Sequence, residues 1–161
     1  MQALTPSQKG AAAEAAITAA AIRLTLIVLR PLCDGGRYDL VLDIGAQLLR
    51  VQCKWASARA GVLQASCRTS RHTPRGYVRT TYSATEIDAL GVYSADTGRC
   101  YLIPAEEVAG RAMLSLRVAP TRNRQACNVR WAPDYELETS LRRNWSTSAQ
   151  YVSPGVARRY Y

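Results

Sequence analysis

Asp39, Gln52 and Lys54 are the residues whose types and spacing could do chemistry together: a carboxylate, a spacer of twelve residues, then an acceptor-x-Lys tripeptide. Such a set suits a divalent cation beside a phosphodiester. The carboxylate offers hard oxygen ligands and the Gln52 carbonyl adds a neutral one. The ammonium can orient or polarise an attacking water and offset phosphate charge. As a bare string the pattern arises by chance in many chains of this length, so its weight comes from the wider context. Lysine is scarce: of 21 basic residues only Lys9 and Lys54 are lysines, the rest being arginine. An ammonium is a compact point charge that enters a crowded site, whereas a guanidinium is a wide planar fork. Lys54 therefore stands out as a lysine kept for chemistry, the bland alternative being a chance choice among basic residues.

A fourth candidate, Glu14, belongs to the element that opens the chain. Thr5 as N-cap, Pro6 at the first helical position and Gln8 closing a capping box predict a helix from about Pro6 to Ile22. At 3.6-residue spacing Gly10, Glu14, Ile17, Ala21 and Leu24 share one face, which lays the helix's single carboxylate along an apolar stripe. A carboxylate there needs a metal or cation, takes up a proton, or reaches solvent past the small alanines.

The elements that must position Asp39, Gln52 and Lys54 form a hairpin. Leu26 to Arg30 reads as a short strand stopped by Pro31, and Cys33 to Gly36 as a turn. Tyr38 to Ile44 alternates, Gly45-Ala46-Gln47 turns the chain, and Leu48 to Trp55 returns. If Gly45-Ala46 is a two-residue loop, Ile44 faces Gln47 and Asp39 faces Gln52, with Lys54 two residues farther along the same face. A loop one residue longer or shorter would put Asp39 on the wrong side. Asp43, at the hairpin tip, reads as a turn residue, and Asp88 as one that orients a short helix.

Beyond the hairpin, Val62 to Cys67 predicts a third strand and Arg68 to Arg79 a basic loop containing Pro and Gly. In that loop Arg68, Arg71, Arg75 and Arg79 suit phosphate contact. Ser83 and Glu86 form a second capping box that predicts a short helix through Ile87 and Ala89. Leu90 to Tyr93 and Arg99 to Ile103 predict a hairpin, Pro104 to Glu107 a helical turn, and Met113 to Val118 a strand. After Pro120 the pattern weakens; Arg122 and Arg124 are further candidates for phosphate contact. Residues 1–119 read as the core domain and 120–161 as a basic extension packed on it in part. A net charge of +9 draws the chain toward polyanions. Five scattered cysteines without a C-x-x-C pair argue against a disulfide framework or zinc site. The apolar stretches are too short or too interrupted for a membrane span and no export signal is evident, so the expected location is the cytoplasm.

Taken together, the helical Glu14, the run YDLVLD, its Gly turn, LLRVQCKWA and the later YSATEIDALGVYSADTGRCYLIP resemble the PD-(D/E)XK nucleases. Within them the likeness is to the group I intron-associated homing endonuclease branch, whose core is like that of archaeal Holliday-junction resolvases. It covers roughly Lys9 to Val118. The resemblance matches Glu14 to the helix glutamate, Asp39 to the motif aspartate and Lys54 to the motif lysine. Gln52 takes the position that is Asp or Glu in most of the superfamily; the intron-associated branch uses Gln there. Pro31 is not adjacent to Asp39, so the P of the family name has no counterpart. A neutral Gln52 oxygen leaves the cation's charge to Asp39 and Glu14.

The resemblance implies an α/β, restriction-endonuclease-like core: a central mixed sheet with a three-stranded meander, flanked by helices, the site at one edge. It implies Mg²⁺, with Mn²⁺ able to substitute, and site-specific hydrolysis of double-stranded DNA through Glu14, Asp39, Gln52 and Lys54. One active site cuts one strand, so a homodimer or homotetramer is expected for double-strand cleavage. The rival readings are a catalytically weak DNA- or junction-binding protein on the same fold, and a basic RNA-binding protein stacking bases on Tyr151, Tyr160 and Tyr161.

Overall fold

The structure is a computed structural model and describes residues 3–33, 35–45, 47–74, 76–120, 127 and 129–145, with the side chains of 70–73 and 77 outside that set. Helix α1 (Pro6–Arg23) opens the chain as its cap predicts: Thr5 Oγ1 accepts from Gln8 N–H, and Gln8 Oε1 accepts from Thr5 N–H at 2.9 Å. There follow β1 (Ile27–Leu29), β2 (Leu40–Asp43), the long β3 (Leu48–Arg59) and β4 (Val62–Ser66). Next come β5 (Arg68–Thr73), β6 (Gly76–Thr81), β7 (Ala89–Ser94), β8 (Arg99–Pro104), the short α2 (Ala105–Val108) and β9 (Met113–Arg117). A 3₁₀ turn at Ala132–Tyr135 leads into α3 (Leu137–Trp145).

The fold is α/β with a mixed central sheet. β1, β2, β3, β4 and β9 run antiparallel in that order, β7 joins β3 in parallel, and β8 returns beside β7. Between β2 and β3 the register is Leu40 opposite Val51 and Asp43 opposite Leu48, with Ile44 N–H bonded to Gln47 O. This is the two-residue loop expected from the sequence, with Gly45 at φ +87°. A second two-residue loop, Ala60-Gly61, has both residues at positive φ and sets Arg59 opposite Val62.

Core residues lie on both sides of the sheet. On one side Ile17 and Ala21 of α1 pack on Leu40, Leu42, Leu49, Val51 and Cys53, with Leu137 of α3 joining them. On the other, Ala56, Leu63, Tyr82, Leu90, Val92, Leu114 and Leu116 form a second cluster. β7 is buried on both faces, as a strand paired on both edges and covered on both sides must be. Gly91 is the point of closest approach. A Cβ there would sit 2.9 Å from Val51 Cγ1 and 3.1 Å from Ile17 Cδ1.

Two expectations are corrected. Arg68 to Arg79 is not a loop but the β5–β6 hairpin, in which Thr73 pairs with Gly76 at φ +111°. Its Thr and Val residues favour extended backbone, yet it has no alternating apolar face, so hydrophobic periodicity does not show it. The helix expected from Ser83 is a turn. Glu86 does accept from Ser83 N–H at 3.0 Å, but Ile87 is drawn into the core and Asp88 onto β3, so β7 begins before a helix can propagate. Helix α3 has no counterpart among the elements expected from the sequence; Ser140 Oγ ties it to Leu102 O of β8 at 2.5 Å.

Candidate active site

The site grows from a fork in the sheet. β3 pairs with β2 through residues 48–51 and with β4 through 57–59. Ala58 N–H points to the opposite edge, where the Asp96 carboxylate accepts it at 2.7 Å, so β2 and β4 share one edge of β3 and part between residues 52 and 56. β4 leaves to pair with β9, and the N–H of Cys53 is left facing the gap without a strand. Asp39, one residue before β2, fills that gap with its side chain: its Oδ2 accepts from Cys53 N–H at 2.8 Å. An unmade bond at a part-buried N–H costs about 1–3 kcal/mol, so the fold itself orients this carboxylate.

Gln52 is buried and donates from Nε2 to the same Asp39 oxygen. Lys54, half-buried, lies two residues on along the same face, its Nζ 5.4 Å from the centroid of the Tyr82 ring. The structure thus brings Asp39, Gln52 and Lys54 together at the fork. Burial lifts the Asp39 carboxyl above its ordinary value. The Cys53 N–H, Lys54, the Gln52 amide and Arg30 each pull it back and do not cancel the effect. A carboxylate so desolvated is an attractive seat for a cation.

Glu14 lies on the α1 side, where Arg30 Nη2 meets its carboxylate at 2.5 Å. The Arg30 charge also acts on Asp39, and both carboxylates act on Cys53. Glu14 therefore reaches the neighbourhood of the site with Arg30 as its partner. Asp43 accepts from Gly45 N–H at 2.8 Å, a turn role. Asp88 takes Arg50 in a fork, Nε at 2.9 Å and Nη2 at 2.9 Å, and also accepts from Arg50 N–H at 2.7 Å, pinning the start of β7 to β3. Arg68 and Arg79 are exposed on the β5–β6 hairpin. The Arg71 side chain, Arg75, Arg122 and Arg124 lie outside the described residues, as do Tyr151, Tyr160 and Tyr161.

Three side chains around the fork carry no signal in the sequence. Arg37, two residues before Asp39, donates to Thr80 Oγ1 and Thr81 O at 3.2 Å each and to Glu86 at 2.7 Å. It thereby fastens the foot of the hairpin to the loop that carries Asp39. Tyr82 is the second, its ring lying under the Arg37 guanidinium. Arg50 is the third, through Asp88. Each partnership joins segments more than thirty residues apart, and no local pattern announces it.

Among the described residues no group of three His, Cys, Asp or Glu is placed to hold a metal ion. What the fork offers is oxygen: the Asp39 carboxylate and the Gln52 amide carbonyl, hard donors suited to Mg²⁺ or Mn²⁺ rather than to zinc. Burial pushes the Cys53 thiol far above its ordinary range, so it does not supply a thiolate. Asp39 and Gln52 are donors that fit one hard divalent ion, while Glu14, the third residue expected to serve it, is engaged by Arg30.

Residues 4–138 match the family described as PD-(D/E)XK endonuclease. The bacterial homing endonuclease I-Ssp6803I has a similar structure, with a TM-score of 0.70 and 26% sequence identity, over 86% of this chain and 93% of that one. No curated protein gives a significant match. No described helix is long and apolar enough to cross a membrane. On the family match over most of its length, and on the similar structure, the chain belongs to the PD-(D/E)XK endonuclease family.

Proposed function

We propose that the protein is a Mg²⁺-dependent endonuclease that hydrolyses phosphodiester bonds in double-stranded DNA at defined sites. The observation that carries this reading is the convergence of Asp39, Gln52 and Lys54 at the fork between β2 and β4. A bound Mg²⁺ would supply Lewis-acid stabilisation of charge on the scissile phosphate. Asp39 would hold it through the oxygen not fastened to Cys53. Gln52 would hold it through Oε1, which requires the amide to turn from the orientation in which Nε2 meets Asp39. Lys54 directs an ammonium to the attacking water and the developing negative charge. Arg30, paired with Glu14, adds its charge to the field at Asp39, and Glu14 would act on the ion's surroundings through that pair.

DNA affinity is assigned to arginine–phosphate contacts from Arg68, Arg71, Arg75 and Arg79 of the hairpin and from Arg122 and Arg124. A two-stranded ribbon such as β5–β6 is narrow enough to enter a major groove. Cutting both strands calls for two copies, a homodimer or homotetramer acting on DNA in the cytoplasm. The test is cleavage of a supercoiled plasmid library carrying random inserts, with Mg²⁺, with Mn²⁺ and with EDTA. Metal-dependent nicking or linearisation is expected. Retention of supercoiled DNA under every condition, alongside tight binding, would establish the rival reading of a DNA-binding protein without turnover.

A further inference from the structure

We infer that Tyr82 is a positioning residue for Lys54: its ring orients the ammonium toward the fork without neutralising it. The inference rests on the reading of Lys54 as part of the active site and adds the device that holds it there.

Lys54 has a four-carbon stem with many rotamers, and among the described residues no hydrogen bond or ion pair fixes its Nζ. Its contact is the face of Tyr82, 5.4 Å from ammonium to ring centroid and within cation–π range. The ring is itself packed in the core. Tyr82 is 3% exposed, belongs to the core cluster with Leu90 and Val92, and its carbonyl accepts from Gly110 N–H at 3.3 Å. A direct ion pair with Asp39 would also restrain the lysine, but it would cancel the two charges the chemistry needs apart. A π-face accepts no proton and carries no net charge, so it restrains the ammonium and leaves its charge for the phosphate.

A second observation widens the role. The Arg37 guanidinium lies over the same ring, also at 5.4 Å, and Arg37 is two residues before Asp39. One aromatic side chain therefore touches both arms of the site, the loop leading into β2 and the strand β3. Tyr82 also directly follows β6, the second strand of the basic hairpin.

The test uses the fact that Lys9 and Lys54 are the only lysines. Protein labelled with ¹³C at lysine Cε gives two signals, assigned with Lys9→Arg. The Lys54 Hε protons are expected upfield of those of Lys9 through the ring current, to remain so in Tyr82→Phe, and to move to the free-lysine position in Tyr82→Leu. In single-turnover cleavage, Tyr82→Phe is expected within about twofold of the parent. Tyr82→Leu should lose about tenfold in rate at unchanged DNA affinity, the size expected of one partly desolvated cation–π contact. An unshifted Lys54 signal in the parent protein overturns the contact whether or not any variant folds. A shifted signal with equal rates in Phe and Leu variants, or equal losses, overturns the positioning role. If instead Lys54→Ala cleaves normally while the signal is shifted, the assignment of Lys54 to the active site fails and the contact stands.

Discussion

At the scale of single residues, each member of the candidate site has its own expected signature. Asp39→Asn keeps an oxygen for the Cys53 N–H but loses the charge, and Lys54→Ala loses the ammonium. Each should lower the cleavage rate by about 10² to 10³ or more while DNA binding persists. Single-turnover rates and binding titrations on the same preparations check this, and near-parental turnover in either variant counts against the site. Glu14→Gln has a subtler consequence. It leaves Arg30 unbalanced, with its charge acting on Asp39, so the Mg²⁺ concentration for half-maximal rate should rise by about threefold, the worth of a part-exposed ion pair. Arg30→Ala in the same background should bring it back down; Mg²⁺ titrations of the two variants decide the point. The residue types at positions 39, 52 and 54 were legible in the sequence because scarce lysine and paired acceptors are chemical facts of composition. Arg37 and Tyr82 were not, because their meaning lies in a distance of 5.4 Å that only the fold creates.

At the scale of elements, the contrast between the two hairpins shows what could be read ahead. The β2–β3 register was legible from an alternating strand, a glycine at the turn and a second alternating strand, so that Asp39 fell opposite Gln52. The β5–β6 hairpin has the turn but no apolar face, and it reads as a loop. The helix expected at Ser83 fails for a related reason: its cap is half present, but Arg50 and Asp88 fasten the chain to β3 first. That pair also makes a stability prediction. The hydrogen bonds from the Arg50 side chain hold the Asp88 carboxyl below its ordinary value of 3.8. The folded state therefore binds this proton less tightly than the unfolded chain does. The stabilisation is whole above the ordinary aspartate value and fades as pH falls through it toward the depressed one. Asp88→Asn should cost about 1–2 kcal/mol at neutral pH, discounted for partial exposure, and the gap to the parent should narrow progressively as pH falls below about 4. Denaturant unfolding across that range measures it. Gly91→Ala tests the packing of α1 on β7 independently. The added carbon meets Val51 and Ile17 and should cost about 1–3 kcal/mol, seen as a lower Tm.

At the scale of the whole molecule, the charge of +9 and the placement of arginines predict how the protein holds its polyanion. Arg68 and Arg79 stand on the same face of the hairpin ribbon by register, both exposed. Replacing both with Ala should weaken binding and reduce the slope of log K against log salt by about 0.9 for each phosphate no longer neutralised. Titrations at several salt concentrations give the slope, and an unchanged slope would place the DNA surface elsewhere. The fork between β2 and β4 has a further consequence, for the exchange of protons with solvent. A strand position with no partner strand ordinarily trades its amide hydrogen quickly, yet at Cys53 a carboxylate takes the partner's place. The Cys53 amide should therefore exchange slowly, as though the sheet were continuous there. Asp39→Ala should open it to solvent while Asp39→Asn keeps it closed, so one amide signal separates a site that has lost its charge from one that has come apart.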